Sequence, residues 1–376
     1  MEQERQTETP GTSPSGPPDH SDLDEGDESV APGSGAPALP SHIAGSGALD
    51  RLVEAARDYA RQAASENTLK AYAKDWAHFA RWCRMRGAAP LPASSQLIGL
   101  YITDLAAPGG KAPSQSASRP LSVSSIERRL SGLTWGYAQR GERLDRKDRH
   151  IASVLAGIRR KHARPPEQKE AILPEDLREM LATLPHDLRG LRDRAILLIG
   201  FAGGLRRSEI VSLDHGKDDT PDSGGWVEVL DDGVLIILRG KTGWREVEIA
   251  RGSSDRTCPI HALTQWLHYA RIDFGPIFVA TSRNGLKATG ERLSGKHVAR
   301  LIKSCAREAG LRPDLPEAER VRLFSGHSLR AGLASSAEVD ERYVQKQLGH
   351  ASAEMTRRYQ RRRDRFRVNL TKAAGL

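Results

Sequence analysis

A chain of 376 residues has room for two domains and flanking tails, and its formal net charge of +9 favours a polyanionic partner, nucleic acid before an anionic membrane surface. No run of about 18 apolar residues occurs, so we expect no transmembrane helix, and the acidic N-terminus is unlike a signal or transit peptide. Cys83, Cys258 and Cys305 are widely spaced and form no CxxC pair, which argues against a disulfide framework or a zinc knuckle. The composition therefore predicts a cytosolic protein that handles DNA or RNA without a metal.

The charge is distributed unevenly along the chain. Residues 1–49 contain nine acidic residues and one arginine, so the remainder carries 56 basic and 39 acidic residues. Residues 1–45 are also rich in Pro, Gly and Ser and poor in hydrophobic residues, so they cannot bury enough surface to offset the entropy of ordering. We predict that 1–45 is a disordered acidic tail.

Residues 46–164 show helical periodicity and no strand pattern. One apolar stripe recurs every three or four residues, at Leu69, Tyr72, Trp76, Phe79 and Cys83. This pattern predicts a compact domain of four or five helices.

A second stripe, between residues 126 and 137, comes after Ser124-x-x-Glu127, a spacing that predicts a capping box. The polar faces of these helices and the basic run before Pro165 supply candidate contacts to phosphates. The candidate DNA contacts are Arg81, Arg84, Arg128, Arg129, Arg159, Arg160 and Lys161.

Pro165 and Pro166 interrupt the helical pattern and predict a linker over 165–172, followed by a mixed domain over 173–376. Helices are predicted in this domain at 174–184, 189–200, 259–271, 294–309, 328–337, 341–348 and 353–363. Three β-rich runs, at 226–230, 234–238 and 246–249, are separated by glycine-containing turns and predict a small antiparallel sheet. The predicted fold class is therefore mainly α with a small antiparallel β-sheet: an all-helical domain followed by a mixed α+β domain.

Six residues of the second domain belong to types that handle phosphates, although each alone is more often structural. In chain order they are Arg206, Lys241, His327, Arg330, His350 and Tyr359, separated by 35, 86, 3, 20 and 9 residues. Arginines can neutralise the oxygens of a phosphate, a lysine or histidine can protonate a leaving oxygen, and a tyrosine can attack phosphorus. The set could therefore cleave a phosphodiester without a metal and retain its energy in a covalent link.

The boxes around these residues resemble those of the tyrosine recombinase (phage integrase) family, and the likeness extends over roughly residues 48–370. They are Gly204-Leu205-Arg206-Arg207-Ser208-Glu209, His327-Ser328-Leu329-Arg330 and Leu348-Gly349-His350, with Tyr359 nine residues later. The resemblance implies that Arg206, Lys241, His327, Arg330 and His350 are catalytic, that Glu209 supports Arg206, and that Tyr359 is the nucleophile. It also implies that residues 46–164 are a core-binding (SAM-like) domain and that the two domains form a clamp on DNA.

For a simple two-domain member of this family, the resemblance implies a site-specific recombinase (integrase), for example of a mobile genetic element, and leaves open whether its task is integration, excision, dimer resolution or transposition. Such an enzyme forms a 3′-phosphotyrosyl intermediate and a Holliday junction as a homotetramer on two double-stranded DNA sites. It needs no metal, cofactor or ATP. It has no membrane partner and would be cytoplasmic and nucleoid-associated. The resemblance does not identify accessory proteins.

Three other interpretations remain open at this stage. One is an enzyme with the same chemistry that acts on a single duplex, as type IB topoisomerases and hairpin-telomere resolvases do. Another is a DNA-binding protein on the same fold that does not cut. The last is a basic helical adaptor for RNA.

Overall fold

The computed structural model describes residues 64–107, 120–165, 167–217, 220–240 and 243–349, and singly residues 49, 51, 52, 55, 56, 59, 352, 354 and 357. The acidic tail predicted over 1–45 and the helix predicted over 353–363 lie outside the described residues, apart from single positions in the latter. The chain divides into two compact units, Met1–Glu167 and Gln168–Leu376. No helix in the described part of the chain is long and apolar enough to cross a membrane.

Each of the four helices between residues 64 and 165 begins at a side chain that accepts a hydrogen bond from the backbone of the first turn. These helices are α1 (Glu66–Met85, capped by Ser65), α2 (Ser95–Ala106, Ser94), α3 (Val123–Ala138, Ser122) and α4 (Arg149–His162, Asp148).

The capping box predicted at Ser124 is wrong. Ser122 caps α3 by accepting from the Ser125 backbone N–H at 3.2 Å, while Glu127 pairs with Arg159 of α4. The run Ser122-x-Ser124-Ser125 offers several possible caps, and the spacing alone selected the wrong one.

Aromatic side chains fill the core of the helical unit. Phe79, Tyr101 and Tyr137 are fully buried, and Trp76 and Trp82 nearly so. The Phe79 and Tyr101 rings meet edge-on with centroids 5.0 Å apart, as do those of Trp76 and Tyr137 at 5.0 Å. The predicted stripe on α1 is therefore the face that packs against α2 and α3.

Between residues 168 and 349, the described part of the second unit has eight helices and seven strands. The helices are α5 (Pro174–Ala182), α6 (Leu188–Ala202), α7 (Arg207–Val211), α8 (Pro259–Ala270), α9 (Gly295–Glu308), α10 (Glu317–Leu323), α11 (His327–Ser336) and α12 (Glu341–Leu348). The strands are β1 (Leu213–His215), β2 (Gly225–Val229), β3 (Gly233–Gly240), β4 (Gly243–Ala250), β5 (Gly275–Pro276), β6 (Val279–Thr281) and β7 (Ala288–Arg292). The six predicted helices that fall wholly on described residues agree with α5, α6, α8, α9, α11 and α12 to within about two residues at each end.

The mainly helical fold class with a small sheet is confirmed, but the sheet is not purely antiparallel. Five strands lie in the order β4-β3-β2-β1-β5, and β1 runs parallel to β2 while the other pairs are antiparallel. β1 and β5 contain only three and two residues, too few for alternation to mark them as strands. The remaining strands, β6 and β7, form a separate antiparallel pair.

Part of the predicted linker is integrated into the second unit. The Glu170 backbone N–H donates to the Leu323 carbonyl at 2.9 Å, and that of Ile172 donates to the Ser328 carbonyl at 3.0 Å. The Ile172 side chain is fully buried in the main core. Burial of this one apolar residue fastens the segment beside α11.

Candidate active site

The turn between α6 and α7 lies against the end of α12. α6 ends at Ala202, and Gly204 adopts φ of 56°, a conformation that favours glycine. A Cβ atom at Gly204 would lie only 2.5 Å from Leu348 Cδ2. Glycine is therefore required here for both its conformation and its close approach, and the turn places Arg206 at the residue preceding α7.

Glu209 holds Arg206 at two points. The Arg206 backbone N–H donates to Glu209 Oε2 at 2.8 Å, and Arg206 Nη1 donates to Glu209 Oε1 at 2.9 Å. The Arg206 side chain is 22% exposed and that of Glu209 only 10%. The neighbouring Arg207 is exposed and packs instead against Gly326, where an added Cβ would lie 3.0 Å from Arg207 Cβ.

The structure adds Arg245 to this group, a residue that the sequence pattern did not single out. Arg245 lies on β4, and its Nη2 donates to Glu209 Oε2 at 2.9 Å while its Nη1 donates to the Gln347 carbonyl at 2.7 Å. The sequence feature that could have revealed Arg245 is the alternation of inward-facing positions 245, 247 and 249 along β4. Val247 and Ile249 are buried, so Arg245 occupies an inward position.

Arg330 joins two of the sequence boxes. It is 2% exposed, and it donates from Nη1 to the Gly204 carbonyl at 2.7 Å and from Nη2 to the Leu348 carbonyl at 2.6 Å. His327 lies one turn earlier on α11, is exposed, and its backbone N–H donates to Ser325 Oγ at 3.2 Å. Arg330 thus connects the chain two residues before Arg206 with the chain two residues before His350.

Positive charge exceeds negative charge in this cluster. Burial alone would raise the pKa of Glu209, but the charges of Arg245, Arg206 and Arg330 and the hydrogen bond from the Arg206 backbone outweigh burial, so that pKa lies below its ordinary value. Burial lowers the pKa of Arg245, which Glu209 opposes. One ionised carboxylate facing three guanidinium groups leaves a net positive centre suited to an anion such as a phosphate.

Lys241, His350 and Tyr359 lie outside the described residues, and only the chain beside the first two can be placed. Gly240 pairs with Gly243 at the end of the β3–β4 hairpin, so Lys241 belongs to the two-residue connection between them. Gly349 ends α12 with φ of 61° and directly precedes His350. The structure therefore brings together Arg206, Glu209 and Arg330, and it describes nothing of the other three side chains.

The seven candidate DNA contacts of the helical unit fall into two groups. Arg128 makes two hydrogen bonds to the buried Asp75, Arg129 donates to the Tyr101 hydroxyl at 3.1 Å, and Arg159 pairs with Glu127 at 2.5 Å. The other four are exposed, and no carboxylate among the described residues lies within ion-pair distance of them: Arg81, Arg84, Arg160 and Lys161. The second group is the one available to phosphates.

Among the residues that the structure describes, no group of three or more His, Cys, Asp or Glu side chains is placed to hold a metal ion.

The sequence of the chain is similar to one protein family and to individual recombinases. The profile of the phage integrase family matches residues 170–365. The chain is 33% identical over 331 residues to an integrase/recombinase XerD homolog of Selenomonas ruminantium, covering 85% of this chain and 89% of that protein. It is 29% identical over 308 residues to the tyrosine recombinase XerC of Xanthomonas axonopodis pv. citri, covering 78% and 86%.

Two solved structures align with most of the chain. A lambda integrase fragment dimer bound to a COC′ core site aligns with a TM-score of 0.48 at 18% identity, covering 85% of this chain and 95% of that chain. The XerH site-specific recombinase bound to a palindromic difH substrate aligns with a TM-score of 0.47 at 18% identity, covering 81% and 79%.

Proposed function

The chain belongs to the phage integrase family and is a site-specific tyrosine recombinase that cleaves and rejoins DNA, and we propose that Tyr359 is its nucleophile. The observation that carries the proposal is the cluster of Arg206, Arg245 and Arg330 around the carboxylate of Glu209. Its excess positive charge suits a scissile phosphate, whose charge increases as an additional oxygen attacks phosphorus. The sequence spacing that links Tyr359 with this cluster supports the same assignment.

In the proposed reaction, Tyr359 Oη attacks the phosphorus and the bond from phosphorus to the 5′ oxygen breaks. The product is a 3′-phosphotyrosyl link, and Lys241 supplies the proton that converts the leaving oxygen to a 5′-hydroxyl. Arg206 and Arg330 neutralise the non-bridging oxygens, while His327 and His350 hydrogen-bond the phosphate and receive the tyrosine proton. Because the link preserves one phosphodiester-like bond, attack by another 5′-hydroxyl rejoins DNA without ATP or a metal.

The proposal extends to the assembly. A 5′-hydroxyl from a partner duplex attacks the phosphotyrosyl link and produces a Holliday junction, which a second round of cleavage resolves. Two duplexes with two cleavage points each require four protomers, so the working form is a homotetramer on two double-stranded DNA sites. The exposed residues Arg81, Arg84, Arg160 and Lys161 of the helical unit contact phosphates, which position the protein without specifying sequence.

The nucleophile is tested with Tyr359→Phe, and with Tyr343→Phe as the matched control because Tyr343 is an exposed tyrosine on α12. Each protein is incubated with a library of nicked duplexes of randomised sequence, and binding and denaturant-resistant adducts are measured. The native protein and the Tyr343→Phe variant should form adducts, whereas Tyr359→Phe should bind DNA and form none. An adduct with Tyr359→Phe would show that another residue attacks.

Sequencing the DNA in the adducts supplies the cleaved site, which permits a test of the assembly. Two duplexes of different length that carry this site should yield joined products and a four-way junction. Relaxation of supercoiled DNA without any joined product would instead indicate an enzyme that acts on one duplex at a time.

A further inference from the structure

An arginine on the inner face of the sheet connects parts of the cluster that are distant in sequence. Arg245 is the first inward-facing residue of β4 after the connection that contains Lys241. The next two inward residues, Val247 and Ile249, are apolar and buried. Burying a guanidinium costs free energy that hydrogen bonds must offset, so the partners of its two Nη groups indicate what it is for, while its buried Nε finds no acceptor among the described residues.

One partner belongs to the box that contains Arg206, and the other is the residue that precedes the Leu348-Gly349-His350 box. The Arg245 Nη2 donates to Glu209 Oε2 at 2.9 Å, on the carboxylate whose other oxygen accepts from Arg206 Nη1 at 2.9 Å. The Arg245 Nη1 donates to the Gln347 carbonyl at 2.7 Å, three residues before His350. The planar fork of arginine lets one side chain bind both acceptors, a geometry that the single ammonium of lysine cannot reproduce.

The end of α12 is fitted closely to this side chain. An added Cβ at Gly349 would lie 2.8 Å from Arg245 Cδ, so the chain passes directly over the guanidinium stem. The Gln347 side chain strengthens the same junction, since its Nε2 donates to the Ala202 carbonyl at 3.2 Å and to the Glu248 carbonyl at 3.1 Å. The strand that follows Lys241 and the segment that leads into His350 are therefore held together at Arg245.

We propose that Arg245 is a positioning residue for DNA cleavage, which holds Glu209, and through it Arg206, in register with the Lys241 connection and the chain entering His350. The inference rests on the proposed function. Arg245 acts on the phosphate mainly through these residues, so its removal lowers the rate of the chemical step far more than the affinity for DNA. The charge of Arg245 also keeps Glu209 ionised, and without it the carboxylate protonates at higher pH.

The test uses Arg245→Lys and Arg245→Met in the full chain, on the duplex recovered from the adducts of the native protein. The matched control is Arg251→Met, because Arg251 follows the far end of β4 and donates to the Asp231 carbonyl at 2.9 Å. Affinity, the first-order rate of adduct formation and its dependence on pH are measured for each protein, with denaturant unfolding as a check on folding. If Arg245→Met does not fold, Arg245→Lys decides the test because it retains the charge.

For both Arg245 variants we expect adduct formation slowed by about 10²-fold, as a displacement of roughly 1 Å in a catalytic group produces, with affinity unchanged in Arg245→Lys and lowered far less than the rate in Arg245→Met. In Arg245→Met the acid limb of the rate profile should move to higher pH, whereas Arg251→Met should match the native protein. Native rates in both variants, or affinity and stability falling in proportion to the rate, would overturn the inference. Absence of adducts from the native protein would instead refute the proposed function, and the inference with it.

Discussion

Two regions rich in arginine, one in each unit, are balanced by acidic residues to different extents. In the helical unit, Arg86 pairs with Asp104 at 2.8 Å, Arg128 with Asp75, and Arg159 with Glu127. In the second unit, Arg206 and Arg245 share the Glu209 carboxylate, and Arg330 adds a third positive charge near it. The first arrangement joins helices, and the second leaves positive charge for a phosphate. The local balance of charge, and not the number of arginines, therefore distinguishes the two regions.

The largest effect is expected from Arg330→Lys. Arg330 bridges the Gly204 and Leu348 carbonyls, and an ammonium cannot reproduce a bridge between two acceptors and a phosphate. We expect adduct formation on the cleaved duplex to fall by about 10³-fold, the scale for losing one stabilising donor in a transition state. Arg128→Lys is the control in the helical unit and should retain the native rate. Equal losses in the two variants would remove the distinction between the regions.

Asp75→Asn tests the balanced region. Asp75 is 5% exposed and receives two hydrogen bonds from Arg128, so its neutralisation leaves a partly buried guanidinium without its counter-ion. Since Arg128 itself is one-third exposed, we expect a loss of about 2 kcal/mol in the free energy of unfolding by urea. Glu66→Gln, which removes an exposed pair with Lys70, should cost less than about 0.5 kcal/mol. A similar loss in both would contradict the account of Asp75.

Glu209→Gln tests the unbalanced region through pH. The pKa of Glu209 is lowered in the fold, so its contribution to stability is fully present above the ordinary carboxylate value of about 4.3 and is lost as pH falls through the folded pKa. At neutral pH the free energy of unfolding of the native protein should exceed that of the variant by on the order of 1 kcal/mol, and this difference should shrink in acid. Denaturant unfolding across pH measures it. A difference that is constant with pH would mean that ionisation of Glu209 contributes nothing.

The smallest effect is expected from Arg160→Ala. Arg160 is exposed in the last turn of α4, and among the described residues no carboxylate pairs with it. Its loss should reduce by about 1 the slope of log affinity against log salt concentration, as removal of one phosphate contact does. Arg128→Ala, which removes an arginine already paired with Asp75, should leave the slope unchanged. The reverse result would show that paired arginines also contact DNA.

Most helices of this chain and the strands β2, β3 and β4 could be predicted because their signals are local, whereas α10 and the β6–β7 pair are absent from the predicted elements. The apolar periodicity at 341–348 and the turn residues between β3 and β4 lie within a few residues of the elements that they define. The two-residue strand β5 could not be predicted, because it exists only through pairing with β1.

The residues of the candidate site likewise divide into those with a local sequence signal and those whose role depends on distant contacts. Arg206, Glu209, His327 and Arg330 were found from spacing within short boxes, and the structure places Arg206 beside Glu209 and Arg330 next to the preceding turn. The role of Arg245 depends on contacts 36 and 102 residues away, which no local pattern specifies. The buried pairing of Asp75 with Arg128 is likewise 53 residues apart, so a helix face that looked solvated is an interhelical contact.

The most direct measurement is to identify the residue that is linked to DNA. The adduct of the native protein is digested with nuclease and protease, and the modified peptide is sequenced by mass spectrometry. The account predicts a phosphodiester remnant on Tyr359 and a free 5′-hydroxyl on the released strand. A remnant on any other residue, or a free 3′-hydroxyl with the protein joined to the 5′ end, would contradict it.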